Sequence, residues 1–444
     1  MSANIAPARQ AAFDILRKIG LQLGNSDALL HSESVDRLSQ QDRNLCTALV
    51  LGTLRWQRVL DIEFRRFLSR PDLTLAADSS LALRLGTYQL RFLDRIPPHA
   101  AIFESVEWAK QSDGARQSGL VNAVLRKVAA LPKMRSYDAE LAYPDWMVAR
   151  WRKSYGVETC RRICEEGQQE SPTALRLLDA GSESREFVAG ATLEPGKILA
   201  KARLLVNGAT AYDLSSLDLQ IQDEGSQLIA ELVGTGHRIL DCCAAPGGKT
   251  AVLRQNNPEA QLLACDIHRK RLAAMRGRFA KTSSLHAIDF RIADAAKLAN
   301  VGPFDRILCD APCTGTGTLM RNPEIRHRLQ PHEIERQAAR QREILSAALR
   351  LLAPGGRLLY ATCSLEPEEN EDVVKACLQE ATTVASKFRK LDLRDTFDQL
   401  ARQGTICGEA VPMLRANGFR DGHLRTLPGV HPCDGFCAVM MERE

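Results

Sequence analysis

The sequence predicts a multi-domain chain: an all-α N-terminal domain, a small α+β middle segment, and a C-terminal α/β domain with a parallel sheet covered on both faces. Three observations carry this. The chain has 444 residues, too many for one ordinary core. Up to about residue 140, apolar residues recur at three- and four-residue steps, the helical period. From about Glu224, short apolar strands alternate with helical stretches, the order that gives parallel strands and right-handed crossovers.

In the first part, residues 1–140, Phe13, Leu16 and Ile19 begin an apolar stripe, and Leu45–Leu68 shows the pattern most clearly. LALRLGTYQLRFL and HAAIFESVEWAKQ repeat it on either side of the breaker Pro97-Pro98. Tyr143-Pro144-Asp145 marks a boundary. The middle part, 141–222, opens with a helical piece from Trp146 to about Glu166, followed by the strand-like runs TALRLL, KILAKARLLV and YDLSSL. The third part, 223–444, has strand candidates at 237–243, 260–266, 289–294, 304–310 and 356–363, and a final strand at 435–443. Helices are expected at GKTAVLRQ and RKRLAAMRGRFAK.

A hydrophobic fraction of 45% and a charged fraction of 25% suit a globular protein. No apolar run reaches the roughly 18 residues needed to cross a bilayer, so no membrane partner is expected. The first residues lack a signal-peptide apolar region, which leaves a cytosolic location as the expectation. The 13 cysteines are odd in number and argue against a disulfide framework. Their three C-x-x-x-C spacings are not zinc knuckles, so no metal is expected. A net charge of +5 says little, but the cations cluster. Arg269–Lys281 holds six basic residues and no acid, and Arg321–Arg350 holds seven Arg against four Glu. Either cluster can track a phosphate backbone or form a solvated helix face.

The first strand of the α/β part runs into Asp241-Cys242-Cys243-Ala244-Ala245-Pro246-Gly247-Gly248-Lys249-Thr250. Small residues and two glycines let a ligand approach the backbone, and the turn feeds a helix N-terminus beyond the carboxyl end of a strand. The loop matches neither the dinucleotide fingerprint nor the phosphate-binding lysine loop. Asp241, Asp266, Asp294 and Asp310 stand at or near four consecutive strand ends, an acidic rim that suits a nucleoside without phosphates. S-adenosylmethionine fits: a positive sulfur, a ribose diol for Asp266, an adenine amino group near Asp294, and an amino-acid tail for the backbone of residues 243–249.

Beyond the fourth strand comes Asp310-Ala311-Pro312-Cys313, and at the fifth Tyr360-Ala361-Thr362-Cys363. These strands are expected to be neighbours, so both thiols should face one crevice. Carbon 5 of cytosine is a poor nucleophile. A thiolate adding at C6 breaks the aromaticity and makes C5 enamine-like, so that it can take a sulfonium methyl. Contact at N3, for which Asp310 is suited, helps the addition, and release needs a second group.

CAAPGGKT at 243–250, DAPCTGTGTLMRNPEIR at 310–326, YATCSLEPEENEDVV at 360–374 and RTLPGVHPCDGF at 425–436 resemble the RNA 5-methylcytosine methyltransferases of the RsmB (Fmu/Sun) and NSUN type. Residues 83–110 and 118–128 look like the NusB-like RNA-binding domain carried by RsmB. The resemblance implies a Rossmann-like class I methyltransferase domain behind a NusB-like one, acting on bacterial small-subunit (16S) rRNA; a monomer is expected. It implies Cys363 as nucleophile and Cys313 as the residue that assists product release. It further implies that Cys243, Ala244, Ala245, Pro246, Gly247, Gly248 and Lys249, together with Asp266, Asp294 and Asp310, hold S-adenosylmethionine. The stretch 401–424 matches nothing in that family's pattern.

Rival readings remain. A DNA-type enzyme would use the Pro-Cys residue, Cys313, as nucleophile, leaving Cys363 unexplained. An exocyclic-amine methyltransferase would want an N-P-P-Y-like loop where this chain has Asp310-Ala311-Pro312-Cys313. A non-catalytic RNA-binding assembly factor would need neither the cysteines nor the aspartates.

Overall fold

The computed structural model describes residues 5–133, 136–178, 187–188, 191–207, 219–282, 285–381 and 387–444. They fall into two compact units: Met1–Glu170 with Leu319–Arg328, and Ser171–Thr318 with Leu329–Glu444. No helix among the described residues is long and apolar enough to cross a membrane.

The first unit is helical: α1 (Pro7–Gly20), α2 (Ser26–Leu30), α3 (Glu33–Asp36), α4 (Gln40–Arg65), α5 (Ala77–Phe92), α6 (Pro98–Asp113), α7 (Ala115–Ala129), α8 (Asp145–Tyr155) and α9 (Val157–Glu166). The stripe read at Phe13, Leu16 and Ile19 is buried, and Phe13 stacks on Trp108 at 4.8 Å between ring centroids. Pro98 sits in the first turn of α6, where a missing N–H costs nothing, so the expected breaker is also a helix start. The unit runs past residue 140 to Glu170. Pro144, read as a boundary, is the N-cap of α8, and Met147, Trp151, Cys160 and Ile163 of α8 and α9 are buried.

The unit also holds a distant segment, 319–328, which ends in the short helix α13 (Ile325–Arg328). Glu324 accepts from the Ser26 N–H at 2.9 Å and its hydroxyl at 2.8 Å. Arg326, 1% exposed, lies 4.0 Å from the Tyr143 ring centroid and donates to the carbonyls of Arg55 and Gly167. Arg328 donates to the carbonyls of Ile19 and Gly24.

The second unit opens with a five-stranded antiparallel sheet, ordered β2-β3-β4-β1-β5: β1 (Thr173–Leu177), β2 (Phe187–Val188), β3 (Ala191–Pro195), β4 (Ala202–Asn207) and β5 (Leu219–Ile221). TALRLL and the second half of KILAKARLLV are strands as expected; YDLSSL lies outside the described residues. Then come α10 (Glu224–Leu232), β6 (Arg238–Asp241), α11 (Gly248–Asn256), β7 (Gln261–Asp266), α12 (Arg269–Phe279), β8 (Ile288–Ile292), β9 (Phe304–Asp310), α14 (Pro331–Arg350) and β10 (Leu352–Thr362). The chain continues through α15 (Glu371–Ala381), β11 (Phe388–Leu391), α16 (Leu393–Arg402), α17 (Ala410–Asn417), β12 (Phe419–Arg420), β13 (His423–Thr426) and β14 (Phe436–Arg443).

These strands form one sheet, ordered β12-β13-β14-β10-β9-β6-β7-β8, with β11 also paired to β14. The five strands from β8 to β10 are parallel, as the alternation predicts. The other side departs from that expectation: β14 lies antiparallel beside β10, and β13 antiparallel beside β14. No crossover helix separates β13 from β14, and a short connection can only return the chain antiparallel. The stretch 401–424 supplies α17 and β12.

Alternate residues build the two faces. Ile239, Leu308, Leu359, Ala438 and Met440 cluster with Leu228 and Leu232 of α10 and Phe397 of α16. Leu240, Ile307, Leu358, Val439 and Met441 cluster with Ile344 and Leu345 of α14 and Val373 of α15. The strand order reverses between β6 and β9, which sets a crevice at their carboxyl ends.

Candidate active site

The β6–α11 loop is shaped by close approach. Gly247 has φ +107°, and a Cβ there would lie 2.8 Å from Met275 Cγ of α12. Asp266, the last residue of β7, anchors the loop: one carboxylate oxygen accepts from the Ala245 N–H at 3.1 Å and the other from the His268 N–H at 2.7 Å. Asp241 ends β6 and is 1% exposed. The Thr250 hydroxyl donates to its Oδ2 at 2.7 Å, while its Oδ1 is buried without a partner. Burial pushes this carboxyl up to about 7.

Asp294 lies past the end of β8, which stops at Ile292, and its carboxylate caps a short turn through the Ala296 N–H at 3.1 Å. It is also paired with Arg340 of α14. Ile267 and Ile292, beside Asp266 and two residues before Asp294, are 54% and 50% exposed. Exposed aliphatic side chains flanking two carboxylates suit the faces of a flat base. A single apolar residue at a strand end carries no pattern, so sequence alone does not single them out.

On the other side of the switch point, Asp310 ends β9 and accepts from Lys249 Nζ at 2.7 Å. Lys249 thus turns its ammonium to Asp310, a pairing the spacing of the loop does not announce. Burial alone would lower the lysine; Asp310, the nearby Cys363 and Asp241 together raise it above its usual value. Its ammonium also lies 5.2 Å from the Phe436 ring centroid.

The register of β9 and β10 pairs Asp310 with Ala361, so the loops after both strands leave side by side. Cys313 Sγ and Cys363 Sγ are 3.4 Å apart. Both are partly exposed. The contact with Cys363, then burial, pushes the Cys313 thiol well up. Gly317 permits the crossing of the two loops: its N–H donates to the Cys363 carbonyl at 2.9 Å, and a Cβ would meet the Gly435 oxygen at 2.1 Å. Glu369, within the quoted EPEEN run, is fully buried beneath both loops, and no sequence pattern singles it out.

The two basic clusters differ. In 321–350, Arg326 and Arg328 bond backbone carbonyls, and Arg336 and Arg340 are ion-paired. Arg269, Lys270, Arg271 and Arg276 of α12, and Lys281 just beyond it, are exposed and have no ion pair among the described residues. Arg278 turns back to donate to the Pro246 carbonyl. Glu371, His423 and Cys437 are close enough to hold a metal, but the Arg425 guanidinium bonds both the Glu371 carboxylate and Cys437 Sγ, so that pocket already contains a cation.

A family model described as "16S rRNA methyltransferase RsmB/F" matches residues 232–442, and one described as "NusB family" matches 6–130. The probable ribosomal RNA small subunit methyltransferase B of Bacillus subtilis is 30% identical over 98% of this chain and 98% of its own. The ribosomal RNA small subunit methyltransferase B of Pseudomonas putida is 36% identical over 88% of this chain and 92% of its own. Among solved structures, that of PH0851 matches with a TM-score of 0.75 and 21% identity over 100% of both chains, a likeness of fold. With the Rossmann-like sheet carrying a methyltransferase family's sequence, and the helical unit carrying that of the NusB family, the chain belongs to the RsmB/F family of 16S rRNA methyltransferases.

Proposed function

We propose that the protein methylates C5 of one cytosine in small-subunit rRNA, with S-adenosylmethionine as donor and Cys363 as covalent nucleophile. The observation that carries this reading is the pair of sulfurs 3.4 Å apart, beside the Lys249–Asp310 ion pair. A crevice built only to bind RNA has no use for two thiols in contact.

The residues present fit the donor. The buried, unpartnered Asp241 Oδ1 can accept from an amino group. Cys243, Ala244, Ala245, Pro246, Gly247, Gly248 and Lys249 would hold the amino-acid tail, Asp266 the ribose diol and Asp294 the adenine amino group, with Ile267 and Ile292 on the ring faces. The donor supplies an electrophilic methyl on a positive sulfur.

The chain's own groups do the rest. The Lys249 ammonium lies near Cys363 and donates to Asp310 at 2.7 Å. The Cys363 thiolate adds at C6 of cytosine and pushes electron density to C5, while N3, which takes up a proton from solvent in the addition, donates to the Asp310 carboxylate held by Lys249. After transfer, the C5 proton passes to a solvent base, its bonding pair re-forms the C5=C6 double bond, and the C6–S bond breaks with its electron pair returning to Cys363. Cys313, held as a thiol, stands next to the departing sulfur and assists release. The helical unit and the five-stranded sheet engage RNA, and the exposed cations of α12 follow its phosphates. The protein works as a monomer.

Incubation with small-subunit rRNA and donor, followed by bisulfite sequencing, is expected to reveal one protected cytosine. Methylation of another atom or base would remove the reading.

A further inference from the structure

We propose that Glu369 is a positioning residue that sets the two thiols against each other and acts at the release step. The inference rests on the covalent reading above.

Glu369 is 0% exposed. One carboxylate oxygen accepts from the Thr314 N–H at 2.9 Å and the Gln341 amide at 3.0 Å. The other accepts from the hydroxyls of Thr314 and Ser364. Those four donors fill the lone-pair sites of an ionised carboxylate. Thr314 follows Cys313, and Ser364 follows Cys363. The Gln341 amide also donates to the Pro312 carbonyl at 2.9 Å, so Cys313 is held on both sides. The Tyr360 hydroxyl donates to the Glu369 carbonyl at 2.7 Å, which pins the turn to β10.

Among the described residues no bond joins Glu369 to either sulfur, so it acts through the loops. Loops could be held together by apolar packing at less cost than a buried carboxylate. What a carboxylate adds is a fixed set of four directed bonds and a negative charge beside the release thiol. That charge is one of the influences keeping Cys313 protonated. A loosened clamp would let the thiols drift apart, and release, which needs both, would suffer before addition, which needs one.

The test compares Glu369→Ala, Glu369→Gln and Cys313→Ala with the unchanged enzyme on small-subunit rRNA. Three quantities are read: covalent protein–RNA complex on a denaturing gel, donor affinity by calorimetry, and RNA affinity. Glu369→Ala is expected to accumulate the covalent complex and to slow turnover about a hundredfold. Both affinities should stay within about twofold of the unchanged enzyme, which general loosening of the fold would not allow. Glu369→Gln keeps the shape and one acceptor oxygen, and should fall between. If the alanine variant does not fold, release from Glu369→Gln at the unchanged rate overturns the inference. So does Cys313→Ala trapping RNA while neither Glu369 variant does. If Cys313→Ala traps nothing, the covalent reading itself fails, and this inference with it.

Discussion

Asp266 and Glu369 are both buried carboxylates at the rim of one crevice, and they are held in opposite ways. Asp266 bonds the backbone N–H groups of Ala245 and His268. Glu369 bonds mainly side chains, those of Thr314, Ser364 and Gln341, besides one N–H. The β6–β8 half is therefore a backbone cradle with lone pairs left for a ligand, and Asp241 Oδ1 is still unmatched. In the β9–β10 half the Glu369 carboxylate is fully matched by four donors, and the loops close around two sulfurs. The contrast teaches where damage should appear: as lost affinity on the first side and as lost rate on the second.

The largest effect should come from the second side. Cys363→Ala is expected to abolish turnover and leave no covalent complex, whereas Cys313→Ala should methylate once and stay attached to its RNA. The reverse pattern on a denaturing gel would assign the nucleophile to Cys313. Donor affinity should be nearly unchanged in both, and a large loss would break the division between the halves.

On the cradle side, Asp241 predicts a pH dependence. Its carboxyl is raised by burial from the ordinary 3.8 to about 7. A raised acid contributes stability that is fully present below about pH 4 and is lost as pH rises through about 7. Asp241→Asn should flatten the dependence of unfolding free energy on pH in that window, by up to roughly 4 kcal/mol. Denaturant titrations across it that superimpose on those of the unchanged protein would exclude this.

Asp266→Ala should weaken donor binding by roughly 1.5–3 kcal/mol, about ten- to hundredfold, with the rate at saturating donor little changed. Calorimetry finding equal affinity would remove Asp266 from the cradle. The smallest effect is expected outside the crevice. Replacing Lys270 and Arg271 of α12 with Gln should reduce the salt dependence of RNA binding by about 0.7–0.9 in log–log slope for each phosphate no longer neutralised. An unchanged slope would make that helix a solvated face.

Much of this was legible in the sequence. Strand ends, the glycine loop and the four aspartates follow from alternation and turn chemistry, because in such sheets sequence order places those ends along one edge. That Cys313 and Cys363 meet follows from β9 and β10 being neighbours. Glu369 was not legible, since an acidic run such as EPEEN reads as solvent-facing until its donors from three other segments are known. Arg326 and Arg328 belong by sequence to a basic cluster, yet they point at carbonyls far away in the chain. The end of the helical unit is not legible either, because Pro144 serves equally well to break one helix or to begin the next.

Segment 319–328 also sets an order of events during synthesis. The helical unit needs Glu324 and Arg326, but these emerge from the ribosome only after all of 171–318 has been made. At typical elongation rates that delay is on the order of ten seconds. Until then the Ser26 N–H and the Gly167 carbonyl lack these partners. The first unit to be translated is thus completed late, and a nascent chain stalled before Leu319 should carry an N-terminal unit that is more readily cut by protease than the same unit in the finished protein.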